Sequence, residues 1–144
     1  MARTAIFPGS FSPFTKGHAD IVQRALQLFD HLVLGVGINS QKEGDGQAHV
    51  EALRALYVHD DRVTVEAYSD LTIDLAHRHH ACCIVRGVRS VKDYEYELQM
   101  ADVNRRVGGI DTVLLMASPQ WAFLSSSMVR ELEHFGHDVS EFLP

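Results

Sequence analysis

The stretch of sequence best suited to chemistry runs from Pro8 to His18, between a predicted strand and a predicted helix. It is rich in glycine and hydroxyl side chains, and a helix amino terminus that follows such a loop directs its free N–H groups at an anion. His18 stands beside this predicted anion site. There an imidazole can donate a hydrogen bond to a phosphoryl oxygen and stabilise charge as it develops. Taken alone, a histidine at that place is more often an exposed residue near a helix start.

Cations and hydroxyls also follow other predicted strands. Lys42 lies in the loop after the second strand, Arg86 to Arg89 follow the fourth, and Ser125 to Ser127 precede the last helix. Arg86 and Arg89 are separated by a stretch with a glycine that permits close backbone approach, which suits bidentate contacts to phosphate. Ion pairs with acidic residues of the next helix explain the two arginines equally well; the acidic residues are Asp93, Glu95 and Glu97. The serines could also simply cap the last helix.

The histidines at positions 77, 79 and 80 are the one grouping that resembles a metal site. They end a predicted helix, where histidine suits the helix dipole, and no acidic or thiol partner is spaced to complete a metal site. We therefore predict no protein-bound metal.

Short β-branched runs alternate with longer amphipathic stretches, which is typical of βαβ units around a parallel sheet. The predicted strands are Thr4 to Phe7, Leu32 to Ile38, Val63 to Ala67, Cys82 to Val85 and Thr112 to Met116. The predicted helices are Ala19 to Phe29, Val50 to Val58, Leu71 to His80, Val91 to Val107 and Met128 to Phe135. Asn39 to Gln47 is predicted to be a flexible loop, because glycines flank Asp45. The fold class is thus α/β, a Rossmann-like open five-stranded parallel sheet with helices on both faces. Ligands then bind outside the carboxyl ends of the strands.

Composition narrows the class of protein further. A chain of 144 residues is the size of one domain, so residues 1 to 144 are expected to form one unit. Thirteen Lys and Arg against nineteen Asp and Glu give a net charge of -6, which argues against nonspecific binding to nucleic acid or to anionic membranes. No apolar run approaches the roughly 20 residues of a membrane span, and no signal-peptide core follows Met1. A cytoplasmic protein is expected.

Several of these motifs together carry a family resemblance. The run from Pro8 to His18 resembles the T-x-G-H form of the nucleotidyltransferase signature, with Thr15-Lys16-Gly17-His18 as the matching residues. With Arg86 to Arg89, Asp93 to Glu97 and Trp121 to Ser127 in order behind it, the chain resembles the bacterial phosphopantetheine adenylyltransferase family. The resemblance runs from Ala5 to Phe142.

The resemblance implies adenylyl transfer from ATP to 4′-phosphopantetheine, which gives dephospho-coenzyme A and pyrophosphate, the penultimate step of coenzyme A synthesis. It implies that His18 stabilises the transition state at the α-phosphate. The implied ATP-binding residues are Ser10, Phe11, His18, Gly87, Val88, Arg89, Glu97, Trp121, Ala122, Phe123, Leu124, Ser125, Ser126 and Ser127. The implied residues for phosphopantetheine are Ser10, Lys42, Thr72 and Arg86. Mg²⁺ is expected to arrive with ATP, because the sequence shows no carboxylate cage, and a homohexamer of two trimers is expected.

The sequence departs from the family pattern at a few positions. Ser10 and Ser12 stand where the family commonly has threonine and aspartate, and the residues after Lys42 differ from the usual run. Two alternatives stay open. One is a related nucleotidyltransferase that uses nicotinamide mononucleotide or glycerol phosphate as acceptor. The other is a nucleotide or coenzyme A sensor that lost turnover, which the change at Ser12 and the altered loop after Lys42 suggest.

Overall fold

The computed structural model describes residues 2–38 and 45–144. The strands are β1 Thr4–Gly9, β2 His31–Gly37, β3 Val63–Tyr68, β4 Cys83–Val88 and β5 Asp111–Met116. The helices are α1 Lys16–Ala25, α2 Asp45–Leu56, α3 Thr72–Arg78, α4 Val91–Gly108 and α5 Ser126–His134, with short 3₁₀ turns at Pro119–Trp121 and Ser140–Phe142. All neighbouring strands are parallel, in the order β3-β2-β1-β4-β5. The predicted five-stranded α/β fold is confirmed.

Alternating strand residues build two separate cores, one on each face of the sheet. On one face, Phe7 and Leu34 pack with Val22 of α1 and Leu53 of α2. On the other face, strand residues that alternate with these pack under α3; the cluster contains Ile6, Val33, Ile84, Ile73, Leu75 and Ala76. Helix α4 contacts α3, β4 and β5. Helices therefore cover both faces, as the alternation of the sequence predicts.

Several elements begin or end away from their predicted positions, and the changes in β4 and α1 bear on the site. Strand β4 runs on to Val88, so that Arg86 and Gly87 belong to the strand and only Arg89 follows it. The reason is the ladder with β5, in which Arg86 pairs with Leu114. Helix α1 begins at Lys16 instead of Ala19, which places His18 within its first turn.

The prediction of a flexible loop over Asn39 to Gln47 is wrong at its carboxyl end, because α2 already begins at Asp45. Residues 39–44 lie outside the described part. Gly46 has a packing role: a Cβ added there would lie 2.4 Å from Cγ2 of Ile38, at the end of β2. This glycine permits close approach of α2 to the sheet and does not mark a turn.

Among the described residues, no helix is long and apolar enough to cross a membrane.

Candidate active site

A cavity of about 330 Å³ opens at the carboxyl ends of β1 and β4. These two strands are neighbours where the strand order reverses, and ligands of open α/β sheets bind at that point. The loop after β1, the first turn of α1, the end of β4 and the segment before α5 form its walls. The cavity volume lies in the range of sites for small molecules and nucleotides.

The first turn of α1 fixes His18 through its cap. Thr15 is the N-cap residue; its hydroxyl oxygen accepts from the His18 backbone N–H at 3.3 Å, and the Thr15 N–H donates to His18 Nδ1 at 3.0 Å. Both ends of this capping box are made by residues of the T-x-G-H run. The signature thus orients the histidine ring as well as supplying it.

Aromatic rings enclose the other sides of His18. The Phe14 ring stacks on the imidazole with centroids 5.3 Å apart, and Phe11 meets it edge to face at 5.1 Å. Phe11 reaches this place through a backbone φ of 48°, in the left-handed region that is uncommon for bulky residues. Such strain is concentrated at functional loops, where the surrounding structure holds it.

The hydrogen bond at Nδ1 determines the tautomer of His18. Because a backbone N–H donates to Nδ1, that nitrogen carries no proton in the neutral ring, and the proton lies on Nε2. Burial lowers the pKa of His18 to about 4, with further lowering by the charges of Arg86 and Arg89. At neutral pH the ring is therefore neutral and its Nε2–H is available as a donor.

This lowered pKa predicts an acid-dependent loss of stability. The unfolded chain binds the His18 proton near pH 6.5 and the folded protein only near pH 4, so the free energy of unfolding falls as pH drops through this interval. We expect a loss of about 2 kcal/mol from this residue between pH 7.5 and pH 5. Urea unfolding of wild type and His18→Asn at both pH values measures it. The same pH dependence in both proteins would contradict the prediction.

Arg86 is held by a buried carboxylate. Its Nε and Nη2 donate to the two carboxylate oxygens of Glu97, both at 2.8 Å, and Nη1 donates to the Pro8 carbonyl at 2.5 Å. The Glu97 side chain is 7% exposed and that of Arg86 is 30% exposed. Three of the five guanidinium N–H groups are thus occupied, and the remaining two have no partner among residues 2–38 and 45–144, so they can donate to an anion in the cavity.

Arg89 also has a carboxylate partner on α4 and a backbone carbonyl partner. It forms an ion pair with Asp93 at 2.9 Å and donates to the Leu124 carbonyl at 3.2 Å. The sequence allows two interpretations of these arginines, as ion-pair partners of acidic residues or as phosphate ligands. The structure is compatible with both at once, because each arginine has an acidic partner on α4 and each lines the cavity. Glu95 takes no part in these pairs.

The serine run before α5 combines a cap with a cavity wall. Ser125 is the N-cap residue, and its Oγ accepts from the Met128 N–H at 3.1 Å. Ser126 donates to the Pro13 carbonyl at 2.8 Å, which ties α5 to the loop after β1. Ser125, Ser126 and Ser127 all line the cavity, at the amino terminus of a nine-residue helix that favours anions.

A second cavity of about 240 Å³ lies beside the first and shares part of its wall. The shared residues are Pro8, Gly9, Ser10, Arg86 and Glu97. From there the second cavity extends past Thr72 of α3, whose hydroxyl is 3.0 Å from that of Tyr68, and along α4. Two compartments therefore meet at Ser10 and Arg86.

The structure brings together most of the residues that the sequence predicts for the site. The first cavity is lined by Ser10, Phe11, His18, Gly87, Arg89, Glu97, Trp121, Leu124, Ser125, Ser126 and Ser127, and the second by Ser10, Thr72, Arg86 and Glu97. Three predicted residues line neither: Val88 is buried, Ala122 is half-buried, and Phe123 is exposed and packs on Phe142. Lys42 lies outside the described residues.

Three polar residues of the first cavity are named nowhere in the sequence analysis: Asp20, Ser118 and Arg130. Ser118 donates to Asp20 at 2.7 Å, and Arg130 donates to the Ser12 carbonyl and, at 3.2 Å, to Ser127 Oγ. Arg130 had a readable signal, since it follows Ser127 by three residues on one helix and so lies on the same face. Asp20 and Ser118 are 98 residues apart, and no local pattern joins them.

The carboxylates of the first cavity are Asp20, Asp93 and Glu97, and each forms an ion pair with an arginine. Within the part of the chain that the structure describes, no three His, Cys, Asp or Glu side chains come close enough to hold a metal. Of the three histidines considered above, His77 bonds to the Gly108 carbonyl and His79 to Glu66.

Ser12, where the family commonly has an acidic residue, makes contacts of its own. Its hydroxyl lies 3.1 Å from Nε2 of His49, a residue of α2. Its carbonyl accepts from Arg130. A serine thus connects the loop after β1 to two neighbouring helices without a carboxylate.

Comparison with known proteins gives the family of the chain and agrees with the fold. Residues 6–132 match the family described as cytidylyltransferase-like. The chain is 49% identical over 99% of its length to the phosphopantetheine adenylyltransferase of Phocaeicola vulgatus, of which it covers 95%. It is 48% identical over 97% of its length to that of Porphyromonas gingivalis, of which it covers 93%. The fold also resembles the bifunctional NMN adenylyltransferase/ADP ribose pyrophosphatase of Francisella tularensis, with a TM-score of 0.69, 16% identity, and coverage of 99% of this chain and 44% of that one.

The cytidylyltransferase-like match spans most of the chain, and a parallel sheet with a T-x-G-H loop at its switch point agrees with that class. The chain belongs to the phosphopantetheine adenylyltransferase family, whose members are nucleotidyltransferase enzymes.

Proposed function

We propose that the protein transfers the adenylyl group of ATP to 4′-phosphopantetheine, which yields dephospho-coenzyme A and pyrophosphate in the penultimate step of coenzyme A synthesis. The observation that carries this proposal is the pair of cavities that meet at Ser10 and Arg86, with His18 on the wall of the first. A reaction between two phosphate compounds needs two such compartments that open onto one reaction centre. The family membership given above supports the same reaction.

The first cavity is the proposed ATP site. His18, Arg89 and the serines at the start of α5 supply hydrogen-bond donors around it. The second cavity is the proposed site of 4′-phosphopantetheine, with the acceptor phosphate at Arg86 and Ser10 and the rest of the molecule beyond Thr72.

In the proposed reaction an oxygen of the acceptor phosphate attacks the α-phosphorus of ATP. A new P–O bond forms, the bond to the oxygen bridging the α- and β-phosphates breaks, and pyrophosphate leaves. The acceptor phosphate in its dianionic form has no proton to lose, so the protein needs neither a nucleophile nor a general base. Orienting the two phosphates and stabilising charge can lower most of the barrier.

His18 acts on the charge that grows on the α-phosphate during the attack. Its Nε2–H is the free donor, and its orientation is fixed in advance by Thr15 and Phe14. A neutral donor held in place helps the transition state without reorganising at the moment of reaction. Mg²⁺ bound to the ATP phosphates would add charge neutralisation there, consistent with carboxylates that are already engaged by arginines.

Pyrophosphate release tests the proposed function. The purified protein is given ATP and Mg²⁺ with 4′-phosphopantetheine, nicotinamide mononucleotide or glycerol phosphate, and CTP replaces ATP as the alternative donor. We expect turnover with ATP and 4′-phosphopantetheine and little with the other pairs. Preference for another acceptor would assign a different transferase activity. Nucleotide binding without turnover would assign the alternative role of a nucleotide or coenzyme A sensor.

Arg89→Ala should weaken ATP far more than the acceptor. Arg89 lines only the first cavity, and loss of charge-assisted hydrogen bonds to phosphate raises the KM for ATP roughly tenfold to a hundredfold. The KM for 4′-phosphopantetheine should change less than about twofold. Steady-state kinetics with each substrate varied in turn measures both, with Arg62→Ala as an exposed-arginine control. An unchanged KM for ATP, with a loss of thermal stability alone, would assign Arg89 to a purely structural pair with Asp93.

We further propose that the protein assembles as a homohexamer of two trimers. Helix α4 supports an assembly, because it exposes apolar side chains that one chain leaves uncovered: Val91 is 75% exposed, Tyr96 60% and Val107 64%. Sedimentation velocity across micromolar concentrations tests the assembly, and a monomer throughout would refute it.

A cytoplasmic location also stays a prediction, which fractionation of the source cells tests.

A further inference from the structure

One buried side-chain oxygen or nitrogen atom in the described part of the chain has no hydrogen-bond partner: the hydroxyl oxygen of Thr112. Buried hydroxyls in native proteins are nearly always paired, because an unpaired one loses its bonds to water without replacement. Thr64, on β3, shows the usual situation, with its hydroxyl 2.7 Å from Nε2 of His31. The orphaned hydroxyl of Thr112 therefore needs an explanation.

Thr112 lies on the wall of the second cavity, near the start of β5. It pairs with Ile84 of β4, whereas Arg86 pairs with Leu114, two residues further along. At about 3.3 Å per residue, Thr112 lies roughly 7 Å deeper along the strands than Arg86. The same cavity is also lined by the apolar Met100 and by Asn104, which has an amide side chain.

We infer that Thr112 is a specificity-determining residue for the acceptor, and that its hydroxyl forms a hydrogen bond with an amide group of the arm of 4′-phosphopantetheine. The inference rests on the proposed function. With the acceptor phosphate at Arg86, the arm runs along the cavity towards Thr112. The first amide of the arm lies several bonds from the phosphate, and this length is comparable to the separation of Thr112 and Arg86 along the strands. A turn of the side chain to another staggered rotamer gives the hydroxyl a route to the ligand.

This interaction discriminates between phosphorylated acceptors by their arms. An acceptor with amides satisfies the Thr112 hydroxyl, whereas one without them leaves that hydroxyl unpaired. The hydroxyl is already unpaired in the free protein, so an acceptor without amides forgoes this hydrogen bond and incurs no further cost.

Thr112→Val tests the inference, because valine has nearly the same shape and no hydroxyl. We expect the KM for 4′-phosphopantetheine to rise about threefold to tenfold, with kcat and the KM for ATP unchanged. Thr112→Ser, which keeps the hydroxyl, should stay near wild type. Thermal unfolding should show Thr112→Val at least as stable as wild type, because replacement of an unpaired hydroxyl removes its desolvation penalty. If the Thr112→Val protein does not fold, Thr112→Ala replaces it in this test, with the same expected rise in the KM for 4′-phosphopantetheine.

Two controls separate recognition of the arm from a general effect on the cavity. Thr64→Val makes the same change away from both cavities and should leave both KM values unchanged. Propyl phosphate, which has a phosphate and no amide, should inhibit wild type and Thr112→Val equally. An unchanged KM for 4′-phosphopantetheine, or an equal weakening of propyl phosphate, would overturn the inference. Failure of the wild type to convert 4′-phosphopantetheine would instead overturn the proposed function.

Discussion

His18→Ala lowers kcat by about 10² to 10³ while the KM for ATP changes little, which corresponds to roughly 2.7 to 4 kcal/mol for loss of one well-placed donor. The reason is that the Nε2–H of His18 meets charge that is fully present only in the transition state. An interaction of that kind affects turnover and not ground-state binding. Steady-state kinetics of pyrophosphate release, with ATP and 4′-phosphopantetheine each varied, measures the two constants.

His18→Asn is the matched variant, because it removes the Nε2 donor and leaves a side-chain oxygen that can accept from the Thr15 N–H in place of Nδ1. The asparagine protein should lose as much kcat as the alanine protein and retain more of its stability. A folded His18→Asn protein with near-normal turnover would show that His18 serves the capping box alone.

The succession of strands and helices along the chain follows from alternation of apolar runs with amphipathic stretches, and the sequence predicts it well. The ends of the elements depend on pairing with distant segments, which no local pattern records. Arg86 and Gly87 read as a loop because a charge and a glycine end the apolar run, yet pairing with Leu114 and Leu115 of β5 keeps them in the strand. Gly46 reads as a turn, yet it is needed where α2 approaches Ile38.

For the site, the sequence predicts the residues that share a motif and misses those brought in by tertiary contact. His18 is prominent because it completes a T-x-G-H run that also caps its helix. Its lowered pKa could not be predicted, since it arises from burial and from two arginines about 70 residues away. Thr112 has no local signal at all, because its significance lies in a missing partner that only the packed structure reveals.

Arg86→Met should destabilise the fold by about 3 kcal/mol, because it removes the partner of a buried carboxylate. Glu97 would then hold its charge in a setting where only 7% of its side chain is exposed, with two hydrogen bonds of 2.8 Å lost. The same variant should raise the KM for 4′-phosphopantetheine roughly tenfold to a hundredfold, since Arg86 lines the second cavity. Urea unfolding and steady-state kinetics measure the two effects independently.

The double variant Arg86→Met/Glu97→Gln separates the structural role of Arg86 from its role in binding. A neutral amide at position 97 removes the uncompensated charge, so most of the lost stability should return, whereas the KM for the acceptor should stay raised because no cation faces its phosphate. Recovery of both stability and KM would show that Arg86 acts only through Glu97. Wild-type stability in the single variant would show that solvent reaches Glu97 well enough to replace the ion pair. It would also show that the hydrogen bond from Arg86 to the Pro8 carbonyl is not needed to hold the end of β1 in place.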